Sequence, residues 1–113
     1  MSVRVGFTKF TQQMLEQELE GIEAMLPNLG VEQVILTGDM VSRGYSPDSR
    51  IDLIIVHKTD LCFGRRADFF SWHLDSGVAV DTQVYTPEEF EIYRESLPAL
   101  KLACDNGRVI FNA

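Results

Sequence analysis

Near the N-terminus, apolar side chains recur at the spacing of an α-helix. Between residues 8 and 26 they are three to five positions apart, with Gln and Glu between them. They are Phe10, Met14, Leu19, Ile22 and Leu26. This pattern predicts an amphipathic helix, and Pro27 and Gly30 predict its end, because proline pushes the preceding residue out of the helical region and glycine favours turns.

Two apolar runs of strand length follow this helix. Residues 33–37 predict a short buried strand that ends at Gly38. Ile51–Val56 is almost continuously apolar, which is typical of a central strand covered on both faces. Between them, Gly44 and the run Ser-Pro-Asp at 46–48 predict a loop over residues 38–50.

The second half of the chain alternates between helical and extended patterns. A helix is predicted over residues 65–74, a strand over 78–85, a helix from 87 to about 94, a short helix over 98–104, and a final strand over 108–111. The helix predicted from residue 87 begins at a capping box. In it, Thr86 caps the helix, Pro87 takes the first helical position and Glu89 reaches back to the cap. The whole pattern predicts an α/β (α+β) fold with a mixed sheet of three to four strands flanked by helices.

The length and composition of the chain restrict the class of protein that it can be. At 113 residues with 45% apolar residues, the chain fits one domain over residues 1–113. No apolar run approaches the roughly 20 residues of a membrane helix, and the first residues do not resemble a signal peptide, so no membrane partner and a cytoplasmic location are expected. Cys62 and Cys104 lack the spacing of a metal site and are interpreted as small apolar residues.

The net charge of the chain limits which ligands it is expected to bind. Ten basic against 17 acidic residues give a net charge of −7, which disfavours binding to long nucleic acid because phosphate contacts require clustered Lys and Arg. A small nucleotide carried with its own Mg²⁺, or a basic protein partner, is compatible with this charge.

The segment over residues 36–56, LTGDMVSRGYSPDSRIDLIIV, holds the candidate chemistry. Gly38-Asp39 is followed by ten residues and then by Arg50-Ile51-Asp52. Positions two apart on a strand share a face, so residues 50 and 52 are expected side by side, roughly 7 Å apart. A neighbouring strand that carries Asp81 would add a second carboxylate beside Asp52.

This segment resembles the active-site segment of the minimal nucleotidyltransferases, small domains related to DNA polymerase beta whose signature is Gly-Ser, ten residues and Asp-x-Asp. The resemblance extends over residues 30–113 and includes VAVDTQVYTPEEFE at 78–91 and DNGRVIF at 105–111. It implies the nucleotidyltransferase fold and two-metal chemistry, in which Mg²⁺ ions held by three aspartates assist transfer of a nucleoside monophosphate from ATP or another NTP to a hydroxyl.

The resemblance also implies a metal-binding role for particular carboxylates of the site. Asp52 matches the second metal-binding aspartate and Asp81 the third, which makes both the candidate catalytic residues. Arg50 stands where the first aspartate would be, and a guanidinium only donates hydrogen bonds and cannot bind Mg²⁺. Asp39 and Asp48 are the candidate substitutes for the missing ligand.

The nucleotide-binding part of the motif is matched by three residues that precede the strand predicted over 51–56. Gly38 matches the glycine that lets the backbone approach the phosphates. Asp39 replaces a serine that contacts the triphosphate, and its charge would repel phosphate. Arg43 resembles a phosphate-binding arginine, although it lies one position later than in the family.

Two functions therefore remain open. The first is an active enzyme that uses Asp52, Asp81 and a substitute carboxylate. The second is a degenerate pseudoenzyme that binds nucleotide or protein, for which the resemblance implies a HEPN-type toxin as partner and this protein as its antitoxin; homo-oligomers are compatible with either. The simplest alternative for Arg50 is a salt bridge to Asp52, with Asp81 or Asp39 as further partners, which contributes ~0–1 kcal/mol if exposed.

The remaining polar and aromatic candidates have structural explanations. His57 and His73 are interpreted as surface or packing residues rather than catalytic bases. Phe69, Phe70 and Trp72 are interpreted as part of the core or of an interface.

Overall fold

A computed structural model of the chain describes residues 2–74 and 77–113, with side chains for residues 9–71, 74 and 77–113. The described residues form five α-helices, one 3-10 turn and four strands. In chain order these are α1 (Ser2–Met25), the turn Leu26–Asn28, β1 (Gln33–Thr37), α2 (Asp39–Ser42), β2 (Ile51–Val56), α3 (Phe63–Leu74), β3 (Val80–Tyr85), α4 (Pro87–Ser96), α5 (Pro98–Asn106) and β4 (Arg108–Asn112).

The four strands form one mixed sheet in the order β3-β2-β1-β4. Strand β1 is antiparallel to both β2 and β4, whereas β2 and β3 are parallel. A mixed sheet flanked by helices is the predicted fold class, which the structure confirms. The strand order, which the sequence left open, places β1 and β2 in the centre, consistent with their apolar sequences.

Helices cover the sheet on both faces and divide the core in two. On one face, buried residues of α1 and α3 pack against alternate residues of the strands, with Phe70 fully buried among them. On the other face, Phe90 of α4 and Leu100 of α5 pack against Ile35, Ile54 and Tyr85. Because side chains alternate along a strand, this second face is also the face that carries Asp52 and Asp81.

Several element boundaries differ from those predicted. The first helix begins at Ser2, six residues before the predicted start at residue 8. Part of the predicted loop over 38–50 forms the one-turn helix α2. Gly38 and Arg43 flank this helix, and their φ angles are positive, at 76° and 65°. The third strand begins at Val80 rather than at 78 because the ladder with β2 begins there.

A buried arginine connects α3, β3 and α4. Arg66 donates from Nε to the carbonyl of Leu61 over 2.8 Å and from Nη1 to the carbonyl of Val84 over 3.3 Å, and it forms a bidentate ion pair with Glu89. Glu89 also completes the predicted capping box with Thr86, which the structure confirms. This network holds β3, and with it Asp81, against the neighbouring elements.

Other predicted roles have mixed outcomes. His57 packs as predicted, since its ring stacks on Phe69 and its Nδ1 lies 3.2 Å from the carbonyl oxygen of Gly30. Cys62 is exposed, in contrast to the predicted apolar role, whereas Cys104 is half-buried against the second core. The side chains of Trp72 and His73 lie outside the described residues. Within the described residues, no helix has the length and hydropathy that crossing a membrane requires.

Candidate functional site

Three adjacent strands bring the candidate polar residues into one row. Thr37 at the end of β1 pairs with Asp52 of β2, and Asp52 pairs with Asp81 of β3 in the parallel ladder. Neighbouring strands are about 4.8 Å apart, so Thr37, Asp52 and Asp81 lie abreast on one face of the sheet. The predicted juxtaposition of Asp52 and Asp81 is therefore present.

Arg50 faces the central carboxylate of this row. Its Nε lies 3.5 Å from Oδ1 of Asp52, and the Arg50 side chain is 56% exposed. This confirms the predicted pairing of Arg50 and Asp52. The further partners proposed for Arg50 are wrong, because among the described residues Asp52 is its only partner in an ion pair. The guanidinium thus stands at the solvent side of Asp52.

The surroundings of Asp52 raise the pKa of its carboxyl group. Burial raises its pKa above the ordinary value of 3.8, the charge of Arg50 lowers it, and the charges of Asp81 and Asp39 raise it. The net shift is upward, so Arg50 does not fully offset burial and the two neighbouring carboxylates. The carboxyl group of Asp52 therefore holds a proton more readily than a free aspartate does.

Gly38 is required by Asp52 itself. Its backbone has φ 76° and ψ −149°, a conformation open almost only to glycine. A Cβ at this position would overlap the carboxylate of Asp52. The structure therefore gives Gly38 a role that the sequence did not suggest, because it makes room for a carboxylate of the site as well as forming the turn between β1 and α2.

Asp39 is held by the loop that precedes β2. Its Oδ2 accepts a 2.7 Å hydrogen bond from Oγ of Ser49, and the same Oγ accepts a 2.8 Å bond from the Ser46 amide. Asp39 therefore ties the loop to the start of α2. Asp48 is exposed on this loop and Arg43 is an exposed residue at the end of α2. The role of Asp48 as a substitute metal ligand stays a prediction, and its side chain is exposed.

Two cavities lie between this row of residues and α5. One, of about 260 Å³, is lined by Thr37, Asp52 and Asp81 together with Leu97 and Pro98 at the start of α5. The other, of about 630 Å³, lies between the turn at Gly38-Asp39 and the α5 residues Leu102 and Asn106. The two are adjacent, since they share Thr37, Ala99 and Ala103 in their linings, and they are together called the cleft.

The carboxylates of the cleft do not form a three-ligand metal site. In the part of the chain that the structure describes, no group of three His, Cys, Asp or Glu side chains is arranged to hold one ion. Asp39 is bonded to Ser49, and Asp52 is paired with Arg50. Mg²⁺ requires near-octahedral oxygen coordination, so the residues as arranged do not fit the two-metal centre that the resemblance implies.

The sequence did not indicate two parts of the site. Thr37 stands beside Asp52 only through the pairing of β1 with β2, and a lone threonine at a strand end carries no signal of its own. The wall formed by Ala99 and Ala103 depends on how α5 packs over the sheet, and Gly107 allows that approach, since a Cβ there would lie 2.6 Å from Cγ2 of Ile35 and 2.7 Å from the carbonyl oxygen of Ala103.

Comparison of the chain with models of known protein families, with curated proteins and with solved structures gives no match.

Proposed function

We propose that this protein is a nucleotidyltransferase-like domain with impaired catalysis, which acts by binding a ligand in the cleft between its sheet and α5. Nucleotide is the ligand that the sequence resemblance implies. The observation that carries the proposal is the pairing of Arg50 with Asp52 over 3.5 Å, beside Asp81. It puts a fixed cation where a metal-binding carboxylate would stand in an active relative.

The charges around Asp52 support this proposal. Carboxylates at adjacent register positions repel each other, and in a two-metal enzyme the ions relieve that repulsion. Here Arg50 supplies one positive charge permanently, since a guanidinium stays protonated in proteins. The same charge disfavours a divalent cation beside it.

The size of the cleft supports a binding function. Its larger part has a volume of about 630 Å³, within the range of roughly 300–1,000 Å³ typical of small-molecule sites. Its lining combines the small apolar residues Ala99 and Ala103 with the polar groups of Thr37 and Asn106. A HEPN-type protein remains the macromolecular partner that the resemblance implies, and the charge of −7 suits a basic partner.

The alternative is an active enzyme that transfers a nucleoside monophosphate with Mg²⁺ bound by Asp52, Asp81 and Asp39. One observation favours it: Asp39 lines the larger part of the cleft and influences the pKa of Asp52. The alternative requires Asp39 to leave Ser49 and Arg50 to leave Asp52.

Isothermal calorimetry with ATP, with and without MgCl₂, distinguishes the two functions. We expect the natural protein to show no Mg²⁺-dependent ATP binding and Arg50→Asp to gain it, because that substitution restores a carboxylate beside Asp52. Asp52→Ala in the Arg50→Asp background should abolish the gain, whereas Asp60→Ala, which removes an exposed carboxylate from another loop, should leave it unchanged. Mg²⁺-dependent binding by the natural protein that Asp52→Ala abolishes would support the enzyme instead and would refute the loss of the metal site.

A further inference from the structure

A further cavity, of about 400 Å³, lies between α1, α2 and the start of β4. Its volume falls in the range of roughly 300–1,000 Å³ typical of small-molecule sites. The charged side chains that line it are Glu16, Glu20 and Glu23 of α1, Arg43 at the end of α2 and Arg108 of β4. None of these five is among the residues that line the cleft, so this cavity is a separate candidate site and does not depend on the proposed function.

The two signs of charge around this cavity come from different elements. The three glutamates are four and then three residues apart, which places them on one stripe of α1, about 4.5–6 Å apart along the helix axis. Glu16 accepts a 3.1 Å hydrogen bond from Gln12. Within the described residues, no ion pair joins Arg43 or Arg108 to any of these glutamates. Both sets of charges are therefore available to a ligand.

Both sets of charges act on Tyr45, which is half-buried and also lines the cavity. Burial raises the pKa of the Tyr45 hydroxyl above its ordinary value of 10.0, and the charges of Glu16 and Asp39 raise it further. The charges of Arg43 and Arg108 lower the same pKa. The carboxylates and the guanidiniums therefore lie close enough to one hydroxyl to act on it together.

The stripe of glutamates is unfavourable for α1 itself. Like charges four residues apart destabilise a helix, and Glu23 lies in the last turn, where the helix dipole disfavours an anion and no basic residue offsets it. A cation bound among the glutamates would relieve both effects. Leu19 and Met40 are buried residues that line the same cavity and offer apolar contact to the carbon chain of a ligand.

We propose that this cavity binds a basic α-amino acid such as lysine, with its ammonium groups on the glutamates of α1 and its carboxylate on Arg43 and Arg108. Three carboxylates and two guanidiniums give the cavity a formal charge of −1, and the two ammonium groups and one carboxylate of lysine balance it. An ammonium group donates three hydrogen bonds, and a guanidinium binds a carboxylate through two. The extended chain of lysine separates its ammonium groups by a distance comparable to the spacing of neighbouring glutamates on α1.

Titration of the full-length protein with L-lysine, followed by ¹H–¹⁵N NMR at constant ionic strength, tests the proposal. We expect saturable shifts of the amide signals of residues 16–23, Val41 and Arg43, with a dissociation constant of about 1 mM. Cadaverine, which lacks the carboxylate, and norleucine, which lacks the side-chain ammonium, should each bind at least about fivefold more weakly. The absence of a saturable shift up to about 20 mM lysine would overturn the proposal, as would cadaverine binding as tight as that of lysine.

Substitutions among the two sets of charges test which group holds which end of the ligand. Glu20→Gln should weaken the binding of lysine and of cadaverine at least about fivefold. Arg108→Gln should weaken the binding of lysine by a similar factor and leave that of cadaverine no weaker, because only lysine carries the carboxylate; a loss of folding would weaken both. The matched controls Glu95→Gln on α4 and Arg65→Gln on α3 remove exposed charges elsewhere and should leave lysine binding unchanged. Equal effects of Arg108→Gln and Arg65→Gln on lysine binding would overturn the proposal.

Discussion

Replacement of Glu89 by Ala removes the anionic partner of a buried arginine. Arg66 is 8% exposed in its side chain and Glu89 is 31% exposed. In the variant, Arg66 retains its bonds to the carbonyls of Leu61 and Val84 and loses both bonds to the carboxylate. The capping bond from the Thr86 amide to Glu89, 2.9 Å long, is lost as well.

The expected cost follows from these contacts. Breaking a buried ion pair by removing one partner typically costs about 3–5 kcal/mol, and the partial exposure of Glu89 reduces this to about 2–3 kcal/mol, because water reaches the vacated site. Loss of the cap adds about 0.5–1 kcal/mol. We therefore expect Glu89→Ala to lower the free energy of unfolding by about 3 kcal/mol. Glu89→Gln, which keeps an acceptor for the Thr86 amide, should cost about 1–2 kcal/mol.

Urea denaturation followed by circular dichroism measures these costs as changes in midpoint at constant slope. Glu88→Ala is the matched control, because Glu88 is an exposed carboxylate in the same first turn of α4 and should change stability by less than about 0.5 kcal/mol. A cost below about 1 kcal/mol for Glu89→Ala would refute the argument that Arg66 depends on this carboxylate.

The same pair has a defined pH dependence. Hydrogen bonds from Arg66 and Thr86 lower the pKa of Glu89 below its ordinary value of 4.5. Its contribution to stability is therefore present above pH 4.5 and is lost as the pH falls through the lowered pKa of the folded state. The difference in stability between the natural protein and Glu89→Gln should be constant near neutral pH and should shrink in this acidic interval.

Three further perturbations test the site. Gly38→Ala should cost about 2–4 kcal/mol, because it combines backbone strain with overlap of the Asp52 carboxylate. Gly30→Ala has a similar positive φ, but its Cβ would meet only Cε1 of His57 at 3.9 Å, so it should cost about 1 kcal/mol in the same urea assay. Burial, with smaller contributions from neighbouring carboxylates, raises the pKa of Asp52. The natural protein should therefore lose stability relative to Asp52→Asn as the pH rises from 3.8 through the raised pKa. An equal dependence of stability on pH in the two proteins would contradict this. Ser49→Ala should release the loop from Asp39 and speed amide hydrogen exchange at Ser46, Asp48 and residue 49; unchanged exchange would show that this bond does not hold the loop.

Local sequence patterns were sufficient for much of the fold. The bounds of β1 and β2 were predicted correctly, because each is an apolar run between turn residues. The start of α4 was also predicted, since the capping box is contained within Thr86–Glu89. The pairing of Arg50 with Asp52 followed from the alternation of side chains along an extended strand.

Features that depend on distant parts of the chain were missed. Arg66 and Glu89 are 23 positions apart, and nothing near either residue indicates the other. Thr37 joins the site through strand pairing, and Gly38 is required by a side chain that follows it by 14 positions. The single turn of α2 is too short to show a helical period, so it was predicted as loop.

In the proposed function Arg50 takes the place of a metal ion, and NMR with a paramagnetic probe tests this directly. Mn²⁺ substitutes for Mg²⁺ at oxygen sites and broadens the signals of nearby nuclei. With MnCl₂ and ATP, we predict selective broadening of the Gly38, Asp52 and Asp81 amide signals in Arg50→Asp and none in the natural protein. Selective broadening of these three signals in the natural protein would contradict the account.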